Sequence, residues 1–206
     1  VGKSAPGAVY LFDLASTKLR GVIAGLPAAP TRVAFSGKGR YLAVSLANRK
    51  GLLVYKMTAA RKAGPPSFLS KAETDILGKL GYLEKTMLDP SVVLSDQSLP
   101  GDITALAFND RENLIASADD GSIRLYNVDL KPAKTVQGKN GQKPSCLQFS
   151  PDGSKLAVGY TDTPAIDVFA ATDLAYLYSP DTTDLAKAFS SALIIFCASV
   201  SPPVAS

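Results

Sequence analysis

AVYLFDL (8–14), LLVYKM (52–57), IRLYNV (123–128) and IDVFAA (166–171) are four versions of one short strand that ends in an aromatic residue. The aromatics are Phe12, Tyr55, Tyr126 and Phe169, and both the first and the last interval between them measure 43 residues. A period of about 40–45 residues marks stacked supersecondary units, since no single unit can bury its own apolar face. The middle interval, Tyr55 to Tyr126, is 71 residues, one period plus an insertion of 28.

Working outward from that strand gives the rest of each unit. TRVAFS (31–36) and YLAVSLA (41–47) precede the second copy, ITALAFN (103–109) and NLIASA (113–118) the third, SCLQFS (145–150) and KLAVGY (155–160) the fourth. Each leading strand ends on Phe35, Phe108 or Phe149, and each following one carries Leu42, Leu114 or Leu156 six or seven residues later, the length of a tight hairpin. The turns support this locally. Pro151 presets φ, Asp152 can bond the backbone ahead of it, and Gly153 takes positive φ without a Cβ clash. Asp120-Gly121 is a pair that favours a hairpin with the right twist. A fourth strand follows in LRGVIAG (19–25), KTVQG (134–138) and AYLYS (175–179). Each unit is thus expected to be a four-stranded antiparallel meander.

In this arrangement the chain resembles the WD-repeat β-propeller family, whose blades have that strand order and whose third strand ends in an aromatic-Asp pair. Phe12-Asp13 matches the pair; Tyr55-Lys56, Tyr126-Asn127 and Phe169-Ala170 are degenerate copies, and FSPDG (149–153) matches the family's first hairpin. The resemblance covers roughly residues 8–190 apart from the insertion, and degenerate repeats of this kind point to a bacterial-like member. It implies an all-β propeller, partial in extent: a half-blade at 8–25, blades at 31–95, 102–138 and 144–179, and a half-blade at 184–199. The family often carries a Gly-His pair and a third-strand Trp, with the His bonded to a turn Asp. This chain has neither His nor Trp, so blades held by apolar packing alone are expected.

Composition agrees with an all-β chain. Of 206 residues 46% are apolar, and 16 Gly and 14 Pro supply turns in number. A net charge of +4 is too mild to indicate a dedicated nucleic-acid surface. Cys146 and Cys197 are too few for a disulfide framework and read as reduced, buried thiols of a cytoplasmic protein. VGKSAPGAVY lacks the pattern of a signal peptide, and the longest apolar run, Ala192 to Val200, falls short of the roughly 20 residues a membrane span needs. That run reads as a strand.

The insertion lies between the third and fourth strands of the second unit, near 58–90, after a basic flank RKAGPP (61–66). Within it, residues 70–87 open with Ser70 and Glu73 at capping-box spacing and place Ile76, Leu80, Leu83 and Met87 on one helical face. Gly78 and Gly81 weaken that helix by about 1 kcal/mol each. The apolar stripe reads as packing on the rim of its own domain, with docking of a partner as the alternative.

No catalytic constellation is expected. Without His the usual general base and commonest metal ligand are missing, and the two Cys are not spaced as a metal pair. Asp119, Asp120, Asp152, Asp162, Asp181 and Asp184 fall at turns, where Asp is favoured for its backbone bonds; Asp167 alone sits in a strand. Neither cofactor nor metal is implied.

Binding is the expected function, of a protein or peptide, on a non-catalytic scaffold that forms part of a larger protein. In the resembled family one face is built from the loops entering the first strand and joining the second to the third. Here these are Leu26 to Pro30, Gly138 to Lys143 and Thr182 to Asp184, with Asn48, Arg49 and Lys50, Asp119 and Asp120, and Tyr160 to Asp162. Their candidate contact residues include Lys139, Asn140 and Lys143. Two alternatives come from other classes: an enzyme using loop carboxylates, and nucleic-acid binding through Lys131, Lys134, Lys139 and Lys143. The lysines, without interleaved aromatics, read rather as a solvated surface. Because the two ends are complementary halves of one blade, a fragment of a longer propeller is expected, ahead of a ring completed by self-association or closed on four blades.

Overall fold

The structure, a computed structural model, describes residues 7–59, 70–80 and 88–182, which hold fourteen strands and one helix. The chain divides into two compact units, 1–97 and 98–206.

In the first unit β1 (Gly7–Phe12) and β2 (Leu19–Leu26) form a two-stranded antiparallel sheet. A second sheet runs in chain order through β3 (Pro30–Phe35), β4 (Tyr41–Leu46), β5 (Gly51–Ala59) and β6 (Leu88–Asp96). Leu11, Ile23 and Leu26 of the small sheet bury against Leu42, Val44, Leu46 and Tyr55 of the larger. In the second unit β7 (Ile103–Phe108), β8 (Leu114–Ala118), β9 (Ser122–Tyr126) and β10 (Pro132–Gln137) form one meander; β11 (Pro144–Phe149), β12 (Lys155–Tyr160), β13 (Ile166–Ala170) and β14 (Tyr176–Tyr178) form another. Ala105, Ile115, Ile123 and Leu125 of the first pack on Leu147, Phe149, Leu156, Val158 and Phe169 of the second.

The repeated residues meet across the strands. Phe35 pairs with Leu42 and Leu42 with Tyr55. Phe108, Leu114 and Tyr126 do the same in the next sheet, and Phe149, Leu156 and Phe169 in the last. Cross-strand partners share a face, so each unit carries one apolar row running across its sheet. The central leucines are fully buried, and Tyr55, Tyr126 and Phe169 nearly so. Phe12, the first aromatic of the series, is 60% exposed.

Local chemistry sets the turns. Gly153 has φ 68°, its N–H donates to the Ser150 carbonyl, and the Asp152 carboxylate accepts from the Ser154 N–H and from the Ser150 and Ser154 hydroxyls. The residue after the aromatic closes the next turn. Asp13 accepts from the Ala15 and Ser16 N–H groups, and Asn127 from those of Asp129 and Lys131. Ala170 has no such acceptor, and Asp173 serves instead, bonding the Ala175 N–H.

The insertion departs from expectation in three ways. β5 and β6 pair as far as Ala59 and Leu88, so the strands reach beyond the expected 58–90 boundaries at both ends. The helix α1 spans Lys71–Lys79 rather than 70–87, beginning directly after Ser70, the first residue of the capping pattern, and ending beside the weak helix former Gly78. Its apolar positions Ile76 and Leu80 are 56% and 63% exposed, so they are not packed on a rim. Leu83, Met87, the 61–66 flank, Cys197 and the half-blade expected at 184–199 lie outside the described residues. Cys146, read as a reduced thiol, is disulfide-bonded. Such bonds persist in oxidising compartments, which removes one ground for the cytoplasmic expectation. No helix among the described residues is long and apolar enough to cross a membrane.

Two substitutions separate core from periphery. Leu156→Ala is expected to lower unfolding free energy by about 2–5 kcal/mol in denaturant titration, through lost burial and a residual cavity. Ile76→Ala, on the exposed helix, is expected to change it by less than about 0.5 kcal/mol.

Candidate partner-binding surface

The connections at one end of each meander are fastened by the same bond. The residue just after the second strand donates its N–H to the carbonyl of the residue just before the first: Ala47 to Ala29, Asp119 to Asp102, and Thr161 to Lys143, at 2.9, 3.0 and 3.0 Å. Side chains add to this in the second unit. Asp119 Oδ1 accepts the Asp102 N–H at 2.9 Å, and Asp162 accepts those of Gln142 and Lys143 at 2.8 and 3.1 Å. Asp120 takes both the N–H and the hydroxyl of Ser122. The Gly138 N–H donates to the Gly121 carbonyl at 3.1 Å. Loops 101–102, 119–121, 138–143 and 161–162 thereby become one hydrogen-bonded polar edge. The Gln142 and then the Lys143 N–H hold the Asp162 carboxyl below its usual range.

Of the predicted contact residues, Asp119, Asp120, Lys139, Asn140, Lys143 and Asp162 lie on this edge and are exposed. Asn48, Arg49 and Lys50 form an exposed turn of the first unit, where Asn48 and Arg49 adopt φ of 59° and 57°. Tyr160 is different. It is 1% exposed and offers no surface to a partner. Lys131 and Lys134 do not join Lys139 and Lys143: Lys131 precedes β10 and Lys139 follows it, a strand about 20 Å long. Asp184 lies outside the described residues.

Tyr160 belongs to a network that the missing His and Trp did not forecast. Its hydroxyl donates to Asp167, a fully buried carboxylate and the second residue of β13. Asp167 also accepts the backbone N–H groups of Lys139 and Asn140 at 2.7 and 3.0 Å, the Asn140 side-chain amide at 2.6 Å and the Ser179 hydroxyl at 2.7 Å. The expectation of apolar packing alone is therefore corrected for this blade. Burial by itself raises the Asp167 carboxyl, but the donors from Tyr160, Ser179 and Asn140 outweigh it and hold the group below its usual value. Burial, and then the bond to Asp167, push the Tyr160 hydroxyl well up.

The loop sits on the tyrosine. A Cβ at Gly141 would overlap the Tyr160 ring, and one at Gly138 would come within 2.7 Å of it. Glycine is required at 141 by this close approach. The sequence held one signal for the network: an Asp at a core-facing strand position with no cation nearby needs several donors, and a Tyr ends the neighbouring strand. Among the described residues no group of three or more His, Cys, Asp or Glu is placed to hold a metal ion.

A family model described as "WD domain, G-beta repeat" matches residues 93–127 and 130–163. Those two stretches, about a third of the chain, are similar to WD40 repeats. Each match starts near a fourth strand, and the first ends on Tyr126-Asn127, so the sequence repeat is offset from the sheets by one strand. No curated protein matches the chain. Among solved structures, a chain of "Crystal Structure of Mitotic Checkpoint Complex" is similar at 16% identity with a TM-score of 0.58, over 85% of this chain and 44% of that one. At this identity the likeness shows the fold, a β-propeller built of four-stranded blades, and this chain spans less than half the length of the one it matches.

Asp167→Ala is expected to cost about 3 kcal/mol, because several buried donors lose their acceptor. Its depressed carboxyl stabilises the fold above the unfolded value of about 4, and that contribution is lost as pH falls through the folded value. The difference between wild type and Asp167→Asn in thermal melts should accordingly shrink below about pH 4. Gly141→Ala should lower the melting temperature more than Gly25→Ala, where a Cβ meets nothing within 4 Å.

Proposed function

We propose that this chain is a non-catalytic protein-interaction scaffold, the recognition portion of a larger protein, which takes a protein or peptide partner on its stitched loop edge. The observation that carries the reading is the way the loop carboxylates are used. Asp119, Asp120 and Asp162 each accept backbone N–H groups that fix a turn. A carboxylate so engaged, with its acidity increased as at Asp162, is a poor general acid or base near neutral pH. What the bonds produce instead is rigidity, which lowers the ordering cost of association. Lys139 and Lys143 offer cations beside these acids, a mixed surface suited to a polar partner of complementary charge. The WD40 repeats and the propeller fold, found in a chain of a multi-protein complex, support the same reading. Nucleic acid is not the proposed partner, because Lys131 and Lys139 lie at opposite ends of β10 rather than gathered together.

The test uses Lys139→Glu with Lys143→Glu, since both residues fasten the loop through backbone N–H groups that the substitutions leave in place. Partners co-purified with the wild-type chain from its source cell are expected to be lost from the double variant while its melting temperature stays unchanged. An unaltered set of partners would overturn the assignment of the surface. A turnover that disappears in Asp119→Ala, Asp120→Ala, Asp162→Ala with the fold intact would overturn the non-catalytic reading.

A further inference from the structure

The loop over Tyr160 reads Gly138-Lys139-Asn140-Gly141, and Asn140-Gly141 is the single Asn-Gly pair of the chain. In such a pair the glycine nitrogen meets no side-chain obstruction when it approaches the asparagine carbonyl. Here packing fixes both members. Residue 141 has to be glycine because the Tyr160 ring occupies the space of a Cβ. Residue 140 supplies three of the bonds in the network, its N–H and amide to Asp167 and its amide to the Ser179 hydroxyl at 2.8 Å. The asparagine is nonetheless exposed, so water reaches it.

We propose that Asn140 is a site of spontaneous deamidation, and that its conversion to a carboxylate releases the 138–143 loop. The Gly141 nitrogen attacks Cγ of Asn140, the bond from Cγ to the amide nitrogen breaks, and ammonia leaves with the proton that the Gly141 N–H gives up. Water then opens the resulting cyclic imide at either carbonyl, giving aspartate or isoaspartate. The net change is amide plus water to carboxylic acid plus ammonia, with no oxidant or reductant.

The consequence follows from charge. In the closed loop the Asn140 amide donates to Asp167 and to Ser179, which holds the side chain in one orientation and restrains its swing toward the Gly141 nitrogen. After conversion two donors have become acceptors, and a second carboxylate stands within hydrogen-bond distance of a buried one. Like charges so placed cannot both remain ionised at low cost. The ammonium of the adjacent Lys139, 6.0 Å from the centre of the Tyr176 ring, is a cation available to oppose the repulsion. Opening the loop therefore speeds conversion, and conversion keeps the loop open. This makes the network a one-way record of loop opening.

The full chain is incubated at mildly alkaline pH and its peptides are weighed over time. The peptide carrying Asn140 is expected to gain the mass of an amide-to-acid conversion first, ahead of those carrying Asn48, Asn109, Asn113 and Asn127. Ser179→Ala is expected to accelerate that gain several-fold. Asn140→Asp should exchange the Lys139 amide hydrogen faster and melt at a lower temperature, and adding Asp167→Asn should restore part of the loss. Should Asn140→Asp not accumulate as folded protein, the same readouts apply to wild-type chain converted in place and separated by charge. Conversion at Asn140 no faster than at the other four asparagines in both wild type and Ser179→Ala overturns the site. Unchanged protection of the Lys139 amide in the converted chain overturns the loop release.

Discussion

The row of side chains that crosses each sheet, Phe to Leu to aromatic, is the constraint from which the rest follows. Adjacent strands bring the three residues opposite one another, and their shared face has to be covered by another sheet. In the second unit Phe149, Leu156 and Phe169 are covered by Ile115, Ile123 and Leu125 of the neighbouring meander. A residue of the same row with less cover is exposed, as at Phe35 and Phe12. The register sets which loops lie together at the ends of the strands, and those loops carry the proposed partner surface.

Much of this row is legible in the sequence because hairpins are local. Phe149 and Leu156, or Leu156 and Phe169, are close along the chain, so turn chemistry such as Pro151-Asp152-Gly153 fixes their pairing without distant information. The fourth strand of the second sheet is harder. β6 is separated from β5 by the insertion, so its LDPSVVLSD does not follow the third strand at the spacing of the other units. The Asp167 network was out of reach for a different reason. Its donors come from a loop about 27 residues earlier and from Ser179 after it, and no periodicity connects them. What the sequence did show was the exception: Asp167 stood apart from the turn carboxylates.

Two kinds of polar chemistry thus serve one end of the second unit. At the surface, exposed carboxylates bind backbone N–H groups, where each bond is worth little individually but several act on one short loop. Below it, a buried carboxylate with five donors anchors the same loop from within. A partner resting on the loop edge meets a backbone already ordered. The chain reaches this rigidity without His or Trp. Tyr160, Asn140 and Ser179 supply the side-chain donors.

The pairing of β5 with β6 has a consequence for how the chain can change. The two strands remain in register up to Ala59 and Leu88, so the sheet holds these residues at cross-strand distance, about 5 Å. Whatever stretch of chain joins them begins and ends at a fixed gate. Lengthening it alters the closure entropy only slowly, each doubling adding about 0.6 kcal/mol. The blade is therefore a docking port in its own covalent structure: new segments can be grafted between these two residues while the strands on either side keep their pairing.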